Sequence, residues 1–224
     1  MKFENTEVWG FEHAIRGMRN PLESWNKSDS HYDIEEVMVD EEVVLERGKY
    51  IIGSNDLQLA QTLIRAGSEH RKFLRQIFVA VDITAPLYFF KELDTYKVGT
   101  VANSTSTMHK LASTPITIDC FEMDDFEDCK DDSNVYVSAI WVESITRLEK
   151  LRQTYNETKD KRYWKELIRL LPESWLQKRT ITMNYENILN MYRQRKNHKL
   201  TEWSKSFCDW VKTLPYAEEL ICLE

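Results

Sequence analysis

The sequence lacks any apolar run of the roughly 18 residues needed to cross a bilayer. It also lacks, at its start, the basic residues, unbroken apolar stretch and small-residue cleavage site of a secretory signal. Both absences argue against a membrane or secreted class. We therefore expect a cytoplasmic protein without a membrane partner.

Cysteines are few, and the net charge is negative. The four cysteines, at 120, 129, 208 and 222, form no Cys-x-x-Cys pair and have no histidine at zinc-ligand spacing, so we expect free thiols and no metal site. Lys and Arg number 30 against 37 Asp and Glu, a net charge of −7, which disfavours binding to a nucleic-acid polymer. A single nucleotide is still allowed, because one local group of Lys and Arg can bind one phosphate.

Glycine and proline total only 11 of 224 residues, which favours a compact chain with few long loops. We expect one domain spanning residues 1–224, since this length can bury a sizeable core. The spacing of the apolar residues predicts a helix over 56–66 that ends at Gly67. A buried strand that ends at Pro86 and a helix over 86–93 are predicted to follow. The fold class is therefore α/β (α+β).

The second half carries an acidic segment, 119–134, that does not have the spacing of a calcium loop, so a solvated loop is favoured. Two helices follow, with a break at 158–160 and an end at Pro172. A strand over 177–183 then leads into a helix with Asn184 as N-cap. Cations at the end of that helix either complement its dipole or bind an anion.

The stretch DTYKVGTVANSTSTM, residues 94–108, holds one lysine and six serines and threonines and follows a long apolar run. This composition indicates a loop. It suits a binding loop, and it equally suits a plain polar turn.

Three segments, in order along the chain, resemble the flavin-dependent thymidylate synthases, the ThyX family. In the C-terminal segment, 171–207, the family's Leu, Pro, Arg, Asn, Asn and Arg align with Leu171, Pro172, Lys178, Asn184, Asn190 and Arg195. In the segment 66–94, Gly67 opens the family's motif, but the positions of its His, Ser, Glu and His hold Ser68, His70, Phe73 and Leu74. Glu69 and His70 have the right chemistry in displaced positions.

The third segment is the hydroxyl-rich stretch, which resembles the signature R-H-R-x-x-S-x-N-x-x-S-x-R. Thr100 and Thr105 fall on its two serines and Lys97 on its second arginine. Thr95 and Thr107 replace the other two arginines, while the histidine and asparagine of the signature are missing. Each charged hydrogen bond lost in this way weakens phosphate binding by about 1.5–3 kcal/mol.

The resemblance implies a ThyX-like fold, with a mixed or antiparallel sheet flanked by helices and a helical C-terminal part. It also implies a homotetramer with FAD at subunit interfaces. In that family the flavin takes a hydride from NADPH and a one-carbon unit from methylenetetrahydrofolate, and it methylates dUMP. The cofactor-binding residues that it implies are Glu69, His70, Tyr96, Lys97, Thr100, Asn190 and Arg195. The implied substrate-binding residues are Glu92, Asn103, Thr105, Thr107, Lys178, Arg179 and Lys205.

The departures from the signature leave three hypotheses open, and no residue is assigned a catalytic role. The first is a flavin-dependent thymidylate synthase-like methyltransferase. The second is a catalytically degenerate protein that binds a nucleotide or a flavin on the same scaffold. The third is an unrelated interaction protein, in which the seven tryptophans serve as core or partner contacts.

Overall fold

The computed structural model describes residues 1–39 and 42–223, and it has an α/β fold with antiparallel sheets flanked by helices. In this part of the chain the strands are β1 (Lys2–Trp9), β2 (His31–Val39), β3 (Glu42–Ile51), β4 (Phe78–Pro86), β5 (Val101–Ser104) and β6 (Leu176–Asn184). The helices are α1 (Phe11–Arg19), α2 (Ser54–Arg65), α3 (Leu87–Leu93), α4 (Thr107–Lys110), α5 (Val137–Thr158), α6 (Lys161–Leu170), α7 (Tyr185–Arg195), α8 (Cys208–Lys212) and α9 (Ala217–Leu220). None of the helices in the described ranges is long and apolar enough to span a membrane.

The main sheet has the strand order β1-β4-β6-β5. Strand β4 alternates strictly, and Val79, Val81, Ile83 and Ala85 are buried on one face. Its β-branched residues suit a pleated, packed surface. The predicted strand ending at Pro86 and the predicted helix after it are therefore confirmed as β4 and α3.

The chain divides into two compact units, each described by itself. The first unit comprises residues 1–5, 81–96 and 102–181. Its core is a cluster of Leu111, Ile116, Phe121, Leu148 and Leu167. The break predicted at 158–160 separates α5 from α6, where Asp160 accepts a hydrogen bond from the backbone N–H of Arg162 and caps α6.

The second unit comprises residues 6–80, 97–101 and 182–224. Its core includes the fully buried Tyr185, whose ring meets Phe11 edge to face at 5.6 Å. The Tyr185 hydroxyl donates to the Pro215 carbonyl at 2.6 Å, and burial raises the pKa of this phenol far above its usual value. The prediction of one domain over the whole chain remains a prediction.

The local predictions of α2, β6 and α7 are confirmed to within two residues. Asn184 caps α7 as predicted, and its side chain and that of Asn187 form a reciprocal capping box. The prediction of a loop over 94–108 is wrong in part, because this stretch contains β5 and the short helix α4. Strand β5 is exposed along its whole length, so no alternation of apolar residues marked it in the sequence.

Candidate functional site

A large cavity of 1320 Å³ lies in the second unit. It is bounded by the end of α1, the turns that follow, one face of α2 and the segment after Gly67. Two predicted cofactor-binding residues, Glu69 and His70, line it. The volume exceeds the roughly 300–1,000 Å³ of most small-ligand sites, so the cavity has room for an extended ligand.

The lining of this cavity combines apolar side chains with charged ones. Met18, Leu59, Leu63 and Phe73 supply the apolar part. Glu69 and Lys72 form an ion pair of 3.4 Å, but both side chains are exposed and the pair contributes little rigidity. The cavity therefore offers both apolar contact area and polar groups to a ligand.

A buried carboxylate fixes one wall of the cavity. The Asp56 side chain, fully buried at the start of α2, accepts hydrogen bonds from the Arg19 guanidinium, the hydroxyls of Ser28 and Ser30 and the backbone N–H of Asp29. Burial opposes ionisation of Asp56, but the hydrogen bonds from Ser28, Ser30 and Arg19 outweigh it and lower the pKa of this carboxyl. Arg19 itself lines the cavity, so Asp56 positions part of its wall.

The signature stretch enters the second unit with residues 97–101. Gly99 has a φ of +80°, and a Cβ there would lie 2.9 Å from the Asn184 Nδ2 atom. The Asn187 amide donates to the Val98 carbonyl at 2.7 Å, which ties this loop to the start of α7. Lys97, a predicted cofactor-binding residue, is exposed and its ammonium group forms no ion pair with the described residues. The Thr100 backbone N–H faces the Lys97 carbonyl at 3.5 Å.

A cluster of arginines beside α7 includes Arg71 and Arg75, which the sequence reasoning missed. Arg71 donates to the side chains of Glu186, at 3.3 Å, and Asn190, at 2.9 Å. Arg75 also pairs with Glu186. Burial and the neighbouring Arg71 guanidinium lower the pKa of Arg193. Positive charge therefore exceeds negative charge here, and the signal in the sequence was Arg71 and Lys72 directly after His70, with Arg75 three residues further on.

Two further predicted residues of the second unit lie toward its C-terminal end. The Arg195 guanidinium lies over the Trp203 ring, 5.3 Å from its centre, a cation–π arrangement. Lys205 is exposed on the six-residue π-helix Glu202–Phe207.

In the first unit, the structure brings together predicted substrate-binding residues from distant parts of the chain. The Thr105 backbone N–H donates to the Lys178 carbonyl at 2.9 Å, and the Lys178 N–H faces the Thr105 hydroxyl at 3.3 Å. Gln177 donates to the Thr105 carbonyl at 2.9 Å and lies 3.5 Å from the Thr107 hydroxyl. The end of β5 and the start of β6 thus form one polar patch.

Both cations of this patch are already paired with carboxylates. The Lys178 ammonium lies 3.1 Å from Asp82 and 3.3 Å from Glu4, and these contacts raise its pKa. Asp82 also accepts from the Thr180 hydroxyl at 2.6 Å, and this bond, with those from Asn5 and Lys178, lowers the pKa of Asp82 to about 2. The charge of Lys178 is therefore shared between two acids.

Arg179 is similarly engaged. Its guanidinium pairs with Asp94 at 2.8 Å and stacks on the Phe90 ring at 4.1 Å from the centre, with only 16% of the side chain exposed. Its Nε donates to Gln177 at 2.9 Å. Stacking and pairing together fix the orientation of this side chain.

The remaining predicted residues of the first unit are Glu92, Tyr96 and Asn103. Glu92 and Tyr96 are half-buried at the end of α3 and in the turn after it, where the Glu92 carbonyl accepts from Thr95. Asn103 is exposed on β5. Thr105 and Thr107 also line a cavity of 660 Å³ within this unit.

Ser106, which lines that cavity, contacts a histidine. The Ser106 hydroxyl lies 2.7 Å from His109 Nδ1 and accepts from the His109 backbone N–H at 3.2 Å. Ser106 is the N-cap of α4, and this local bonding accounts for the pair without a catalytic role.

Comparison with known proteins shows the fold. No protein-family model matches the chain, and no curated protein matches its sequence. Two crystal structures of thymidylate synthase ThyX from Helicobacter pylori, each with FAD and dUMP, match it at 18% and 17% identity, with TM-scores of 0.66 and 0.67. The first match covers 100% of both chains, and the second covers 99% of this chain and 97% of the other. The chain has the ThyX-like fold.

Proposed function

We propose that this chain is a divergent member of the ThyX family that binds FAD and a pyrimidine nucleotide resembling dUMP. The observation that carries the proposal is the contact of Thr105 with Lys178, 73 residues apart, because the resemblance assigns both to the substrate site. The match to ThyX over the full length of the chain supports the same scaffold.

The cavity lined by Glu69 and His70 suits a flavin. Its apolar side chains, among them Leu59 and Phe73, would contact the ring system, and its volume accommodates an elongated dinucleotide. Lys97, which is exposed, is the cation that we expect to bind its phosphates. When bound, FAD would supply the hydride and one-carbon transfer chemistry, and the protein would supply binding and orientation. The resemblance extends the proposal to a homotetramer, with NADPH and methylenetetrahydrofolate as co-substrates.

The nucleotide would bind at the polar patch of β5 and β6. The hydroxyls of Thr105 and Thr107 and the Gln177 amide can form neutral hydrogen bonds with the base and sugar. A phosphate has a weaker fit, because Lys178 and Arg179 already neutralise carboxylates. We therefore expect the affinity for dUMP to come mostly from neutral contacts and to be low.

A second function, binding without turnover, is favoured by the same ion pairs. A transition state that gains negative charge needs cations free to respond, and here both nearby cations are engaged. On this hypothesis the chain binds a flavin or nucleotide as a ligand and performs no methyl transfer.

The absorption spectrum of the purified chain, before and after addition of FAD, tests flavin binding. We expect a visible flavin band that survives gel filtration and that weakens in Lys97→Gln. Lys161→Gln is the matched control, since Lys161 is an exposed cation in the first unit. A colourless protein that takes up no flavin would refute the proposal.

Turnover separates the two candidate functions. Oxidation of NADPH by the flavin-loaded chain, with methylation of dUMP, supports the enzyme. A thermal shift with dUMP, without NADPH oxidation, supports binding alone. A ligand at 100 times its Kd stabilises the folded state by about 2.7 kcal/mol, which such an assay detects readily.

A further inference from the structure

The hairpin of β2 and β3 forms a two-stranded sheet of its own within the second unit. Four large apolar side chains on it, Ile34, Met38, Val43 and Leu45, are 60–67% exposed. Single exposed apolar residues are common on protein surfaces, but a group of four on one short hairpin marks an interaction site.

The strand register places these four side chains on one face. Met38 pairs with Val43, Glu36 with Leu45 and Ile34 with Arg47. Residues at positions i and i+2 of a strand share a face, and directly paired residues do so as well. This mainly apolar face therefore carries Ile34, Met38, Val43 and Leu45, together with Glu36 across from Leu45 and Arg47 across from Ile34.

The opposite face carries an acidic pair beside the apolar Val37. Glu35 lies directly across from Glu46, and both are exposed. Like charges in a direct cross-strand pair destabilise a sheet. Residues 31–51 hold seven Asp and Glu against two Lys and Arg, a net charge of −5, while the whole chain has −7.

An isolated two-stranded hairpin is marginally stable in water, and three strands with an apolar face are the usual minimum. Neither outer edge of this hairpin pairs with another strand of the described chain. The hairpin thus combines exposed apolar side chains on one face, a repulsive acidic pair on the other and two open edges. A third strand of complementary charge would pair one edge, add apolar contacts beside the exposed side chains and place basic groups beside the acidic pair.

We propose that the hairpin binds an extended segment of another protein in which apolar residues alternate with Lys or Arg. Added as a third strand, such a segment directs its apolar side chains toward the face of Ile34 and Leu45. Its basic side chains then lie on the other face, beside Glu35 and Glu46. The proposal is independent of flavin or nucleotide binding.

Charge selects this partner over others. Two copies of the hairpin would bring two net charges of −5 together, and a nucleic acid or an anionic membrane would be repelled in the same way. An uncharged apolar strand would leave Glu35 and Glu46 opposed without relief.

The test uses the full chain and a fluorescent peptide of alternating valine and lysine with the 9-residue length of β2. Fluorescence anisotropy should show saturable binding. We expect Glu35→Lys with Glu46→Lys to weaken binding by about tenfold or more, because two charge-assisted contacts are replaced by repulsion. This variant should in turn bind a peptide of alternating valine and glutamate.

Matched controls separate the hairpin from general charge effects. Glu127→Lys with Glu157→Lys changes two exposed acids of the first unit by the same amount and should leave binding unchanged. Ile34→Ser with Leu45→Ser tests the apolar face and should also weaken binding, while circular dichroism checks that each variant folds.

Three results would overturn the proposal. One is absence of binding by the alternating peptide. Another is equal binding of a peptide with the same composition in separate valine and lysine blocks, because only alternation fits a strand. The third is a dimer of the chain that Ile34→Ser with Leu45→Ser dissociates, since the hairpin would then be covered by a second copy.

Discussion

Replacing Asp56 with asparagine should destabilise the protein strongly. The substitution keeps the shape of the side chain but removes the charge that Arg19 requires, and Arg19 is only 5% exposed. Removing one partner of a buried ion pair costs about 3–5 kcal/mol, because the other charge stays buried without compensation. Part of the hydrogen bonding of Ser28 and Ser30 to this side chain is lost as well. The free energy of unfolding of an ordinary domain is only about 5–15 kcal/mol, so this loss is a large fraction of the total stability.

Urea denaturation followed by tryptophan fluorescence measures the effect, with Trp25 close to the network in sequence. The matched control is Glu157→Gln, an exposed carboxyl in the first unit whose loss should change stability by less than about 0.5 kcal/mol. Because Arg19 lines the large cavity, we also expect Asp56→Asn to lower flavin uptake. A loss of less than about 1 kcal/mol for Asp56→Asn would refute the assignment of Asp56 as the group that compensates buried Arg19.

Three further predictions concern the loop and the sheet. Gly99→Ala should lower the melting temperature more than Gly67→Ala. Both glycines have a positive φ, but of the two only Gly99 has another atom within 4 Å of an added Cβ. Equal losses of melting temperature would contradict this close approach. Asn184→Ala should cost about 0.5–2 kcal/mol in urea denaturation through loss of the α7 cap, and an unchanged midpoint would contradict it. The pKa of Asp82, about 2, lies below the model-peptide value of 3.8, so its stabilising contribution is complete above 3.8 and is lost as the pH falls toward 2. Asp82→Asn should therefore flatten the fall of stability over this pH range, and an unaltered slope would exclude Asp82 as the group responsible.

Elements with a strong local signal could be predicted from the sequence. Asn184, followed by apolar residues at helical spacing, predicted the start of α7, and Pro86 predicted the end of β4. The β2–β3 hairpin gave no such signal. Its Glu35-Glu36 pair and its Val-Met-Val run break the alternation that is typical of a half-buried strand.

The candidate site was predictable only in part, for a physical reason. Resemblance to a family suggested that Thr105 and Lys178 belong to one site, and no local pattern in either segment does so. The ion pair of Lys178 with Glu4 joins residues 174 apart, and such long-range partners leave no periodic trace in a sequence. Arg71 and Arg75 were visible as basic residues, but their convergence on Glu186 depends on how α7 packs.

The pairing of Lys178 with Glu4 and Asp82, and of Arg179 with Asp94, has a consequence for ligand selection. These carboxylates are tethered competitors, present at a high effective concentration that dilution cannot reduce. An anion would bind to these cations only by an exchange reaction, in which each new ion pair replaces an old one and the net gain in Coulomb energy is small. Selection among ligands at this patch would therefore depend on the pattern of hydroxyl and amide hydrogen bonds, and ionic strength would change affinity little.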